Sequence, residues 1–122
     1  MTEKKPDIAE RTFAFAVRIV TLCKALRRAS VFAEVVSQLL KAGTSAGTNV
    51  SEAQSSQSRA DFVSRMSVAL KEGRETLFWL RLVVANKFSS RLESIIEEAS
   101  IIVSILVTII GNAKRNGKGV TP

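Results

Sequence analysis

Apolar residues recur along the chain at alternating spacings of four and three, the period of one face of an α-helix. The spacing predicts helices over 7–28, 31–54, 59–85 and 90–113. In the third segment, which is the clearest, the row contains Phe62, Met66, Ala69, Gly73, Thr76, Leu80 and Val83. No segment alternates with the period of a strand. Because the segments are similar in length and joined by short connections, the pattern predicts an all-α fold, an antiparallel up-down-up-down four-helix bundle.

Local signals support these helices and define the rest of the chain. Asp7 follows Pro6 and can cap the first helix, and Ser58 with Asp61 forms a variant of the capping box before the third. The polar segment 114–122 is expected to be a mobile tail. A chain of 122 residues fits one domain with one core, here 1–122.

The second helix contains a glycine-rich stretch, "KAGTSAGTNV", that could instead be a phosphate-binding loop or a linker. A phosphate-binding loop follows a strand and usually carries a Lys after the glycines. Here the helical row precedes Gly43 and continues after Gly47. We therefore interpret Gly43, Ala46 and Gly47 as a close helix contact that faces Ala69 and Gly73 of the third helix.

The composition limits the classes of partner and the cellular compartment that the sequence predicts. The net charge is +7, which favours an anionic partner such as nucleic acid, an acidic protein or a membrane surface, or else serves solubility. The single cysteine, Cys23, cannot form an intramolecular disulfide, and the N-terminus has no apolar signal region. The apolar stretch 99–110 is too short to cross a bilayer. These features predict a cytoplasmic protein with no membrane partner.

Candidate catalytic chemistry is sparse. The chain has no His and one Cys, which argues against the usual di-iron and zinc sites of helical proteins, so no metal or cofactor is predicted. Glu72 and Glu75 could act as an acid and a base. Arg65, Lys71 and Arg74 lie at pairing distance along the helix, however, so surface ion pairs are the preferred interpretation. The sequence argues against an enzyme.

The positive charge is displaced toward the two ends of the predicted bundle. This placement suits contact with a nucleic-acid backbone, although cations at helix ends also complement helix dipoles. No aromatic residues interleave with these cations, so sequence-specific reading of a single strand is not expected. The candidate nucleic-acid-binding residues are Lys24, Arg27, Arg28, Lys87, Arg91, Lys114 and Arg115.

The end of the third helix is too apolar for a bundle that stands alone. In "LFWLRLVV" only Arg81 is polar, and Phe78, Trp79 and Leu82 are expected to point away from the core. Monomers seldom expose an apolar patch of this kind. We therefore predict a homo-oligomer with Phe78, Trp79 and Leu82 at its interface.

The stretch from Gln38 to Val83 resembles the small four-helix bundle proteins found in intervening sequences of 23S ribosomal RNA genes. The resemblance is carried by Asn49 and Glu52 at the end of the second helix, by Asp61 and Phe62, and by a Glu-bearing third helix. It implies a pentameric ring. It also implies kinship with the accessory proteins of diversity-generating retroelements, which work beside a reverse transcriptase. Most members have no assigned activity.

Together these features predict a non-enzymatic, oligomeric bundle that binds RNA or DNA weakly and nonspecifically, as an accessory to a larger nucleic-acid enzyme. The alternative is a scaffold or adaptor that binds another protein without nucleic acid.

Overall fold

The structure, a computed structural model, describes residues 7–87 and 91–120. It contains the helices α1 (Ile8–Arg28), α2 (Ala33–Ala53), α3 (Arg59–Ala85) and α4 (Glu93–Val120), and the described residues form no strand. Each helix packs against the next along the chain, and α4 returns to α1. In the described part, no Cα atoms of helices on opposite corners lie within 8 Å of each other. This arrangement confirms the up-down-up-down four-helix bundle.

Both predicted caps are present. The Asp7 carboxylate accepts a hydrogen bond from the Glu10 amide at 2.8 Å, and the Ser58 hydroxyl accepts one from the Asp61 amide at 3.0 Å. The Asp61 carboxylate reaches back to the Gln57 amide at 3.4 Å, one residue before the position that a standard capping box uses.

The ends of two helices differ from the prediction. Helix α2 begins at Ala33 rather than Val31, because the buried Val31 closes the preceding turn through its amide, which donates to the Leu26 carbonyl. The predicted start of the fourth helix at residue 90 lies outside the described residues, and α4 begins at Glu93. It continues to Val120, past the predicted end at residue 113, and the mobility of the segment 114–122 stays a prediction. Gly111 does not end the helix, because no described glycine adopts the positive φ of a helix-terminating position.

The core follows the four apolar rows. Its largest fully buried apolar side chains come from all four helices and include Ile19, Leu39, Met66, Leu80 and Leu106. Two threonines are also buried. Thr12 donates to the Ile8 carbonyl and Thr76 to the Glu72 carbonyl, both at 2.8 Å, so their hydroxyls are satisfied within their own helices.

The glycines of α2 lie inside the helix, but their neighbour is α1, not α3. A Cβ atom on Gly43 would stand 2.7 Å from two side-chain carbons of Ile19. One on Gly47 would stand 3.3 Å from the Thr12 carbonyl oxygen. The predicted contact of these glycines with Ala69 and Gly73 is therefore wrong. Gly43 and Gly47 lie on the α1 side of the helix because the backbone of α2 approaches Ile19 and Thr12 there too closely for a larger side chain.

Gly73 makes a close contact of its own. A Cβ atom there would lie 3.2 Å from the Val103 side chain, so this glycine faces α4. The small residues that were predicted to form a single close contact therefore lie in two contacts. Gly43 and Gly47 lie between α2 and α1, and Gly73 lies between α3 and α4.

The side of the bundle between α1 and α4 is the least extensive helix contact. Its polar link is a two-pronged ion pair. The Arg11 guanidinium donates from Nε to Glu98 at 2.7 Å and from Nη2 to the other carboxylate oxygen at 2.9 Å. Arg18 also reaches across and donates to the Ser94 hydroxyl at 3.0 Å.

Candidate nucleic-acid interface

Three of the predicted cations lie near the C-terminal end of helix α1. Lys24, Arg27 and Arg28 are all exposed, in the last turns of the helix, where positive charge complements the helix dipole. The chain then turns through Ser30, whose φ of 62° is left-handed. Its amide donates to the Arg27 carbonyl at 3.0 Å, which holds the cationic turn in place.

A second group of cations lies where α3 ends and α4 begins. Lys87 also has a left-handed φ, of 60°, and its amide donates to the Val84 carbonyl at 2.9 Å. Arg81, Lys87 and Arg91 are exposed. Because successive helices are antiparallel, the ends of α1 and α3 lie at the same end of the bundle. We call the exposed cations there the basic end: Lys24, Arg27, Arg28, Arg81, Lys87 and Arg91.

The basic end is not neutralised by ion pairs. In the described part of the chain, the ion pairs within 4.0 Å join Arg11 to Glu98 and Arg65 to Glu52, and neither involves the basic end. The carboxylates of Glu34 and Glu93 belong to the same end of the bundle. Six cationic side chains against two carboxylates leave a positive field there.

The remaining predicted cations are far from this group. Lys114 and Arg115 are exposed near the other end of α4, where Arg115 donates to the Asn112 side chain. The 27 residues of α3 span the bundle, a length of about 40 Å. The predicted residues therefore form two separate groups, and only the first contains several cations from different helices.

An exposed aromatic residue lies at the basic end, which the sequence interpretation missed. Phe32 is 73% exposed and occupies the N-cap of α2, with no side-chain capping bond. Serine, threonine, aspartate or asparagine is the usual residue there. The sequence already indicated that an aromatic residue lies close to these cations, since Phe32 is only four residues after Arg28.

The predicted oligomer-interface residues differ in exposure. Phe78 is 59% exposed, whereas Leu82 is half-buried. Trp79 is half-buried too, and it lies beside the first turns of α2 with Val35 and Gln38. Trp79 therefore packs partly against the core rather than pointing away from it, and the oligomer interface of Phe78, Trp79 and Leu82 stays a prediction. The Phe78 and Trp79 rings meet edge to face, with centroids 5.1 Å apart.

The carboxylates of α3 do not form the expected ion pairs. Glu72, Glu75, Lys71 and Arg74 make no salt bridge within 4.0 Å to a described residue, and Arg65 pairs with Glu52 of α2 instead. Burial raises the pKa of Glu72, the nearby Glu75 carboxylate raises it further, and Lys71 opposes the shift. Residues 7–87 and 91–116 bring no three His, Cys, Asp or Glu side chains together as a metal site.

Helix α4 is more apolar than the sequence interpretation allowed. By length and composition alone, Glu93–Asn116 could cross a membrane. An 18-residue window within it has a mean hydropathy of 1.9, and 28% of that window is buried in the bundle. The core helix of a bundle can pass the same test, and α4 carries the Glu98 that pairs with Arg11.

The fold and the charged end define a small helical bundle with a concentrated basic surface. The family model of the 23S rRNA-intervening sequence proteins matches residues 4–108, and the chain belongs to that family. It is also similar to the crystal structure of a protein of unknown function from the S23 ribosomal protein family of Bacteroides thetaiotaomicron. That similarity has a TM-score of 0.81 and 38% identity, over 85% of this chain and 98% of the other. No curated protein matches the sequence.

Proposed function

We propose that the protein is a non-enzymatic, self-associating bundle that binds the phosphate backbone of RNA or DNA through the basic end, weakly and without sequence preference. The observation that supports this most directly is the unpaired charge: six exposed cations against two carboxylates, without an ion pair to a described residue. Lys and Arg that neutralise phosphates release counterions, which gives affinity without sequence information.

The proposed biological setting rests on the resemblance of the sequence to the accessory proteins of diversity-generating retroelements, which work beside a reverse transcriptase. We propose that this protein likewise assists a larger nucleic-acid enzyme, in the cytoplasm. The family resemblance favours a ring of five subunits, which would repeat the basic end around one rim. Repetition of a weak contact raises the overall affinity through effective concentration.

The salt dependence of binding tests this proposal. Changing Lys24, Arg27 and Arg28 together to Ala should weaken binding to unrelated RNA and DNA sequences alike. It should also reduce the slope of log K against log salt by up to about 2–3, since each lost phosphate contact removes about 0.7–0.9. Fluorescence anisotropy with labelled 20-mers at several salt concentrations measures both quantities.

A matched control keeps the number of removed charges similar. Lys71 and Arg74 are exposed in the middle of α3, and their double Ala variant should bind as the unmodified protein does. Equal losses in the two variants would mean that net charge, not the basic end, governs binding. If the unmodified protein binds no nucleic acid at low salt, the proposal fails and a protein-binding scaffold becomes the better interpretation.

A further inference from the structure

The residue at the start of α2 is unfavourable for the stability of the helix. Phe32 occupies the N-cap, its side chain makes no capping bond, and 73% of its surface is exposed. A serine or aspartate there would satisfy an amide of the first turn, and a buried ring would gain from the hydrophobic effect. The apolar anchor of this turn is instead the neighbouring Val31, which is buried in the core. The fold of the bundle therefore does not account for a phenylalanine at this position.

The chain that leads to Phe32 keeps it close to the cations at the end of α1. The Ser30 amide donates to the Arg27 carbonyl at 3.0 Å, and Phe32 follows two residues later. Two residues span at most about 7 Å. Arg27 and Arg28 are both exposed in the last turn of α1. The aromatic residue and the two guanidinium groups therefore belong to one short stretch of exposed surface.

The two carboxylates of the basic end lie in other places. Glu34 lines a groove of about 740 Å³ between the first turns of α2 and Trp79 of α3, and Phe32 is not among the described residues that line this groove. Glu93 begins α4, on the corner of the bundle opposite α2. Residues two apart on a helix do not face each other, which also separates Glu34 from Phe32. The α1 side of Phe32 is therefore left to the cations.

An exposed ring beside cations distinguishes single strands from duplexes. A base of a single strand can stack on an aromatic face while the neighbouring phosphates pair with Lys and Arg. In a duplex each base is already stacked between its neighbours, so an exposed ring gains a partner only if a step is unstacked. The cations do not make this distinction, because both forms carry phosphates. Stacking tolerates every base, which agrees with binding that has no sequence preference.

We infer that the basic end prefers single-stranded nucleic acid, with an unpaired base stacked on Phe32 and its flanking phosphates held by Arg27 and Arg28. The inference rests on the proposed function and specifies the form of nucleic acid that the basic end selects. Single-stranded RNA and single-stranded DNA supply the same chemistry, a base face between two phosphates.

Phe32→Leu tests this inference, because leucine keeps the apolar character and the charge but has no ring face. Binding of a single-stranded 20-mer should weaken at least about fivefold, the lower limit for one stacked base, whereas binding of a 20-base-pair duplex should not change. The slope of log K against log salt should also stay the same, since no phosphate contact is removed. Fluorescence anisotropy with oligouridine, oligothymidine and the duplex measures these quantities and separates RNA from DNA.

An abasic oligonucleotide of the same length isolates the contribution of the bases. It carries the same phosphates without any ring to stack, so the unmodified protein and Phe32→Leu should bind it equally.

Phe13→Leu is the matched control variant. Phe13 is 70% exposed, but it lies on α1 about 20 Å before Arg28 along the helix axis. Its variant should bind single strands and duplexes as the unmodified protein does. Phe32→Trp should keep the preference for single strands, since it keeps a ring. Phe32→Ser supplies a capping residue, so it should weaken single-strand binding while holding or raising the melting temperature, which rules out misfolding as the cause.

The contrary outcomes separate this inference from the proposed function. If Phe32→Leu binds every probe as the unmodified protein does, while the triple Ala variant of Lys24, Arg27 and Arg28 loses affinity, the basic end binds phosphates and the stacking inference is wrong. Equal weakening of single-strand and duplex binding by Phe32→Leu would overturn it too, because the ring would then make no distinction. If the unmodified protein binds no nucleic acid at low salt, the proposed function fails, and this inference fails with it.

Discussion

Helix α1 meets its two neighbours in contrasting ways. Against α2 it packs so closely that Gly43 leaves no room for a Cβ atom beside Ile19. Against α4 the contact is less extensive and includes the Arg11–Glu98 ion pair. The difference shows that one side of the bundle depends on the absence of side chains, and the other on a directional polar bond. The two sides should therefore respond to different perturbations.

The largest effect should come from filling the close side. Gly43→Leu would place a branched side chain where Ile19 already lies, and we expect a loss of about 3 kcal/mol or more in the free energy of unfolding, at the upper end of overpacking effects. Chemical denaturation followed by circular dichroism measures it.

Gly111→Ala is the matched control for this change. Gly111 is also helical, but its Cβ position is open except for the Arg115 side chain at 3.4 Å. Alanine there should stabilise the protein by up to about 1 kcal/mol through helix propensity. If Gly43→Leu unfolds at the same denaturant concentration as the unmodified protein, the close contact between α1 and α2 is not real.

An intermediate effect should come from breaking the ion pair on the other side. The hydrogen bonds from Arg11 lower the pKa of Glu98, against an opposing effect of burial. The side chains are 30% and 20% exposed, so Glu98→Gln should cost about 1 kcal/mol. A lowered folded-state pKa means that this stabilisation is present above the ordinary pKa of glutamate and is lost as the pH falls through the folded value.

Thermal unfolding of the unmodified protein and of Glu98→Gln between pH 7 and pH 3 checks the direction of this pH dependence. The difference in melting temperature between the unmodified protein and Glu98→Gln should be largest at pH 7 and should shrink toward pH 3. A difference that is independent of pH would show that the carboxylate charge contributes nothing to this side of the bundle.

The smallest effect should come from the turn that joins α1 to α2. Ser30 adopts a left-handed φ that glycine accepts without a steric cost, so Ser30→Gly should stabilise the protein by about 0.5–1 kcal/mol. Nucleic-acid affinity should not change, because no charge is altered. Lys87→Gly should show a similar gain in stability together with weaker binding, so the pair separates backbone strain from charge.

The contrast between the two sides also marks what the sequence could predict. Helix positions follow from the four-three spacing of apolar residues, since this spacing is a local property of each segment. The partner of Gly43 does not follow, because several small residues of α2 are buried and α2 packs against two neighbouring helices. Ala42 and Ala46 share the buried surface with the glycines, and a row of small residues does not specify which adjacent helix approaches most closely.

Part of the basic end can be predicted from the sequence, because it follows from the order and direction of the helices. Once an up-down-up-down bundle is assumed, α1 and α3 must finish at the same end of the bundle, which places Arg28 and Lys87 at that end. Pairing between helices depends on their relative height and rotation, which the sequence does not state. Spacing along the sequence therefore suggests carboxylates of α3 as partners of Arg65, whereas its guanidinium bonds Glu52 of α2 at 2.8 Å. The exposure of Phe32 depends on the same geometry.

The only cysteine lies on the closely packed side of α1. Cys23 is buried, its sulfur faces the Val36 carbonyl of α2 at 3.8 Å, and burial raises the pKa of the thiol. A thiol reacts with alkylating reagents as the exposed thiolate, so the sulfur can react only when α1 and α2 separate. The rate at which iodoacetamide alkylates Cys23 would therefore report how often α1 and α2 separate. A single native side chain thus gives a chemical probe of the opening of this closely packed helix pair.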